Sequence, residues 1–147
     1  MVERKRYDNR LGFWGWLGGG RWGFERYVYT LHRVTGLGLL GYFLLHILLT
    51  TSRAFGEPAW TAWMDRVSGP VFRYVFEPLV FAAFVIHGMN GIRLILVELG
   101  FAVGKPEDPV YPYRTSLNKQ RPLLVAVMIA AGVVLAIGGV DFFGMGH

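Results

Sequence analysis

Between Arg33 and Arg53 the chain reads VTGLGLLGYFLLHILLTTS, without one formal charge. Between Glu77 and Glu98 it reads PLVFAAFVIHGMNGIRLILV, broken only by Arg93 near the end. Between Arg121 and Asp141 it reads PLLVAVMIAAGVVLAIGGV, again without charge. The hydrocarbon core of a bilayer takes about 20 apolar residues of helix to cross, so each stretch is long enough. In hydrocarbon a single segment can satisfy its backbone polar groups only as a helix. The expected fold class is therefore an all-α membrane protein with three transmembrane helices, at about residues 31–52, 76–99 and 121–140. An interfacial N-terminal segment, residues 1–30, precedes this transmembrane domain, residues 31–147.

Composition supports the same class. Charged residues make up 17% of the chain, where a soluble domain carries about 25%. There is no cysteine, which excludes a disulfide, a thiolate nucleophile and a protein-bound iron–sulfur cluster. Any redox centre handled by this chain has to be a bound cofactor. The net charge of +5 does not point to nucleic acid, because the basic residues flank the apolar spans.

Of the fifteen Lys and Arg, seven precede the first span, three lie between the first and second, and five run from Arg93 to Arg121. By the positive-inside rule the N-terminus and the second connection are cytoplasmic. Trp14, Trp16, Trp22, Trp60 and Trp63 all fall outside the spans, where an indole keeps its N–H in the headgroup region. The first span starts too late for a secretory leader, and MVERKRYDNR carries acids that a transit peptide lacks. The expected location is a bacterial or archaeal plasma membrane. The N-terminal FWGWLGGGRWGFERYVY reads as an interfacial segment suited to docking a cytoplasmic partner.

Ionisable residues inside a span are costly and usually functional. His46 and His87 qualify, and imidazole is a usual axial ligand of haem iron. His87 stands in HGMNGIR with Gly91 one turn away on the same face, where a missing side chain lets a flat ring approach. A histidine hydrogen-bonded across a helix interface, with glycines serving helix packing, fits the same residues. Measured from boundaries at Tyr29 and Glu98, His46 lies about 25 Å deep and His87 about 16 Å. Ligands of one haem should lie level, so either each histidine serves its own haem with a ligand from another chain, or only one is a ligand. At the start of the first span, YTLHRVTG places Tyr29, Thr30, His32 and Arg33 together at the membrane surface. Donors there suit a haem propionate or a quinone carbonyl, while a snorkelling Arg beside an interfacial His is the plainer reading. Arg93 reaches the same side, with Glu98 as a candidate partner. The chain shows no paired carboxylates, Ser–His–Asp order, P-loop or dinucleotide fingerprint.

LHRVTG at the first span and HGMNGIR in the second, in a three-span chain, resemble the cytochrome b membrane-anchor subunit of succinate dehydrogenase. The resemblance covers residues 20–100 and implies a bundle formed with a second membrane-anchor subunit, in contact with a flavoprotein subunit and an iron–sulfur subunit. It implies that His87 is the axial ligand of a haem b. It further implies that His46 is the ligand of a second haem farther from the cytoplasm, and that His32 and Arg33 are propionate-side residues. Arg33 would also contact quinone. Where some members of the family carry a serine that contacts quinone, this chain has Tyr29 with Thr30 beside it. The implied function is transfer of electrons from succinate, through the iron–sulfur subunit, to membrane quinone. The alternatives are a fumarate reductase anchor and a haem-free structural anchor. A small transporter would need a polar stripe along a span, which the sequence lacks.

Overall fold

The computed structural model describes residues 12–17, 23–105 and 116–144. Within these the elements are all helical: α1 (Gly12–Leu17), α2 (Phe24–Thr51), α3 (Glu57–Val67), α4 (Glu77–Glu98) and α5 (Leu117–Gly144). A 3-10 turn, Ser52–Phe55, extends α2, and a π-helical turn, Phe72–Phe76, leads into α4. Three continuous segments are long and apolar enough to cross a membrane: Phe24–Phe55, Phe72–Glu98 and Leu117–Gly144. Each includes one of the apolar stretches and overruns it, because a helix continues past the hydrocarbon until a breaker stops it. Trp16 and Trp22 lie where no side-chain placement is described, as does most of the N-terminal segment.

The breakers are identifiable. Gly23 (φ 79°) precedes α2, and Gly56 (φ 93°) separates its 3-10 extension from α3. Both occupy the left-handed region that glycine adopts without steric cost. Glu57 and Pro58 then open α3, where a missing N–H costs nothing. Pro78 stands at the head of α4 but continues a helix that has already begun. Its ring would press on the carbonyl of Tyr74, four residues back. The widened π turn across residues 72–76 relieves that contact.

The hydroxyls of Thr35 and Thr51, inside the first span, are satisfied locally. Thr35 Oγ1 donates to the carbonyls of Leu31 (2.8 Å) and His32 (3.0 Å), and Thr51 Oγ1 to that of Ile47 (2.7 Å). Such back-bonding lets a polar residue sit in lipid without an orphaned group.

α4 is the middle helix, packed against α2 on one side and α5 on the other. Both pairs are antiparallel. His32 meets His87 at one end of the α2–α4 pair, and Tyr42 shares a cleft with Phe76 toward the other. Phe81 meets Phe142 across α4 and α5, with ring centroids 5.7 Å apart. Gly138 makes that approach possible, since a Cβ there would fall 2.2 Å from Cε1 of Phe81. Glu25 on α2 and Arg121 on α5 form an ion pair of 2.6 Å at one end of the bundle.

The surface is inverted relative to a soluble protein. Leu37, Leu45, Leu48 and Ile137 are each about two-thirds exposed, while Thr30, Thr35 and Asn90 are buried. An apolar exterior of this extent demands lipid or partner helices around it. α3 instead carries Trp60 and Trp63 under the guanidiniums of Arg53 (4.2 Å) and Arg66 (5.0 Å), a pairing suited to the interface.

Candidate functional site

The interior polar residues gather where α2 crosses α4. The rings of His32 and His87 stack with centroids 4.0 Å apart and planes within 4° of parallel. Nδ1 of His87 lies 3.0 Å from the backbone carbonyl oxygen of His32. A carbonyl can only accept, so Nδ1 is the protonated nitrogen, and the lone pair of the neutral ring is left on Nε2.

The local sequence explains why the rings can come so close. HRVTG (32–36) and HGMNG (87–91) share the pattern His-x-x-x-Gly. In a helix that spacing puts the glycine one turn from the histidine on the same face. Two such helices, antiparallel, mate crosswise: the histidine of each lies on the glycine of the other. A Cβ at Gly36 would lie 2.7 Å from Cε1 and 3.1 Å from Nδ1 of His87. A Cβ at Gly91 would lie 3.9 Å from Cε1 of His32, an ordinary contact. Gly36 is therefore the stricter of the two. The space beside Gly91 is taken by His32, and the glycine that admits His87 is on the other helix. The repeated pattern is the signal in the sequence that could have found Gly36.

The stacking also revises the depth scale. Since His32 and His87 are level, Tyr29 and Glu98 do not lie in one plane. His46 is fourteen residues beyond His32, about 21 Å along the α2 axis. That separation from the level of His87 exceeds the roughly 9 Å expected from the sequence, because the assumed boundaries at Tyr29 and Glu98 are not level. His46 is exposed, and its described ring contact is with Tyr42 at 5.6 Å.

His32 and Arg33, adjacent in sequence, part company. Successive residues of a helix point about 100° apart, so His32 turns into the bundle and Arg33 out of it. One Arg33 guanidinium nitrogen donates to the Tyr29 hydroxyl at 2.5 Å, and both Arg26 and Arg33 lie over the Tyr29 ring, at 5.2 and 5.1 Å. Tyr29 and Arg33 thus form one exposed cationic–phenolic patch. Thr30, between them in sequence, is buried. Nδ1 of His32 is buried without a hydrogen-bond partner among the described residues.

Arg93 does not pair with Glu98. Its Nε donates to Oδ1 of Asn90 at 2.9 Å, because three residues is a facing distance on a helix and five is not. Asn90, at 1% exposure, is the largest fully buried side chain described. No group of three or more His, Cys, Asp or Glu able to hold a bare metal ion occurs among the described residues.

The sequence has relatives among known proteins. The family model for the succinate dehydrogenase/fumarate reductase transmembrane subunit matches residues 13–136. The chain belongs to that family. Among relatives of this transmembrane subunit is the succinate dehydrogenase hydrophobic membrane anchor subunit of Halobacterium salinarum. The two are 27% identical over 109 residues, which span 71% of this chain and 80% of the relative. A second is the membrane subunit SdhC of succinate dehydrogenase 2 from Mycobacterium tuberculosis, 25% identical over 134 residues, 91% of this chain and 84% of the relative. No solved structure gives a significant match. As a membrane subunit of an enzyme complex, this transmembrane subunit is not itself the catalyst.

Proposed function

We propose that this chain is a haem b- and quinone-binding anchor subunit of a succinate dehydrogenase. In this reading it passes electrons from succinate, by way of the iron–sulfur subunit, to quinone in the membrane. The observation that carries the proposal is the His87 Nδ1–H bond to the His32 carbonyl, which leaves Nε2 as the available ligand atom. Metal-bound histidines commonly have their second nitrogen held by such an acceptor. Gly36 seats the His87 ring so that Nδ1 is held by the His32 carbonyl, and the buried, unpartnered Nδ1 of His32 offers a further polar group beside it. A haem bound there would supply a one-electron centre to a chain that has no cysteine for an iron–sulfur cluster.

Within this proposal His87 would ligate the haem iron, with a further ligand from a second membrane-anchor subunit. His32 and Arg33 are the propionate-side residues. Arg33 and Tyr29, with Thr30 beside them in sequence, form the quinone contact. His46, about 21 Å from the level of His87, is the ligand of a second haem. The flavoprotein and iron–sulfur subunits dock at the cytoplasmic end, where the excess of Lys and Arg places the N-terminus.

The deciding experiment is a reduced-minus-oxidised optical spectrum of the purified complex, with wild-type chain and with His87→Leu. The expected result is b-type absorption in the wild type that His87→Leu diminishes while the subunit stays inserted. Absence of haem from the wild type would leave a structural anchor. A complex that reduces fumarate with quinol faster than it oxidises succinate would be the fumarate reductase form.

A further inference from the structure

We infer that Gly36 and the backbone carbonyl of His32 are positioning elements that set the orientation and electron-donor strength of the His87 imidazole, and that Thr35 tempers them. The inference rests on the reading of His87 as a haem ligand and goes beyond it, to what tunes the ligand.

Three observations converge on one carbonyl oxygen. The His32 carbonyl accepts Nδ1–H of His87 at 3.0 Å. The same oxygen accepts the Thr35 hydroxyl at 3.0 Å, although that hydroxyl shares its one proton with the Leu31 carbonyl at 2.8 Å. The ring reaches this oxygen only because residue 36 is glycine, since a Cβ there would come within 2.7 Å of Cε1 and 3.1 Å of Nδ1.

The consequence is electronic. A hydrogen bond from Nδ1–H to an acceptor raises the basicity of Nε2, which favours the ferric state of an iron bound to it. Competition from the Thr35 hydroxyl weakens that acceptor. Gly36 therefore permits the effect, and Thr35 limits it. The two act with opposite sign through one oxygen, a pattern that loosened packing would not produce.

The test uses the intact complex and reads the haem rather than turnover. Gly36→Ala is expected to raise the midpoint potential of the His87 haem and to alter its low-spin ferric paramagnetic resonance signal. Thr35→Val, which keeps the shape and deletes the competing hydroxyl, is expected to lower the potential. Gly38→Ala makes the same residue change two positions away, where an added Cβ meets nothing within 4 Å, and should leave both readouts at wild type.

If Gly36→Ala loses haem altogether, the sign of the Thr35→Val shift decides the matter. Wild-type potentials and resonance signals in both Gly36→Ala and Thr35→Val would overturn the inference, as would shifts of the same sign in both. These outcomes are separable from failure of the proposed function. That failure would appear as no haem in the wild type, or as full haem content in His87→Leu.

Discussion

The imidazole of His87 lies against Gly36 of the neighbouring helix, so closely that one methyl group at residue 36 would fall 2.7 Å from its Cε1. The contact is reciprocal in kind, with His32 seated beside Gly91, and it sets α2 and α4 in register at a single level. A polar crossing of this sort specifies how two apolar helices meet, because hydrogen bonds and close packing, not hydrophobicity, drive association within lipid.

The distance between the two candidate haem levels makes them independent. His46→Leu should lower haem content by one per complex and leave the optical signal of the His87 haem unchanged. His87→Leu should do the converse. Effects at sites about 21 Å apart along a helix are expected to add. Haem quantified per complex checks this, and an unchanged count in His46→Leu would remove His46 from the ligands.

Arg33 and Tyr29 act as a unit on the exposed side of α2, joined by a 2.5 Å hydrogen bond. Arg33→Leu should depress quinone reduction about tenfold or more, the scale of one lost charge-assisted hydrogen bond, while dye-coupled succinate oxidation persists. Arg33→Lys should recover only part of the loss, since it keeps the charge and forfeits the forked donor geometry. Equal loss of both activities would indicate a role in assembly.

Asn90 offers a test of stability apart from any cofactor. Asn90→Leu removes the acceptor that holds Nε of Arg93 and leaves a part-buried guanidinium without it. The expected cost is about 1–3 kcal/mol, read as a lower thermal midpoint of the detergent-solubilised subunit. No change in midpoint would mean that Arg93 finds another acceptor.

Gly138 and Phe81 should couple in a double-mutant cycle. Gly138→Val drives a branched side chain into the Phe81 ring and should cost about 1–3 kcal/mol by overpacking. Adding Phe81→Ala opens the space and should recover much of that loss. Strict additivity of the two changes would show that α5 shifts away from α4 rather than clashing with it.

What the sequence determined by itself was whatever depends on residues near one another along the chain. Three long apolar stretches sufficed for three spans, because the free energy of placing a segment in lipid is nearly a sum over its own residues. The π turn before α4 and the amphipathic α3 were less legible, since both depend on how breakers such as Gly56 and Pro78 are absorbed in place. The His-x-x-x-Gly pattern was visible twice in the sequence, at 32–36 and 87–91, but not as a pair. The spans are apolar nearly all round, so no stripe marks which face of a helix meets its neighbour. Rotation and register come instead from interlocking across the interface, and that was settled only when α2 and α4 packed. The tertiary structure thereby put His32 beside His87 and sent Arg33 outward. It also placed Gly36 under the imidazole, which set the level of His87 against α2 and so its distance from His46.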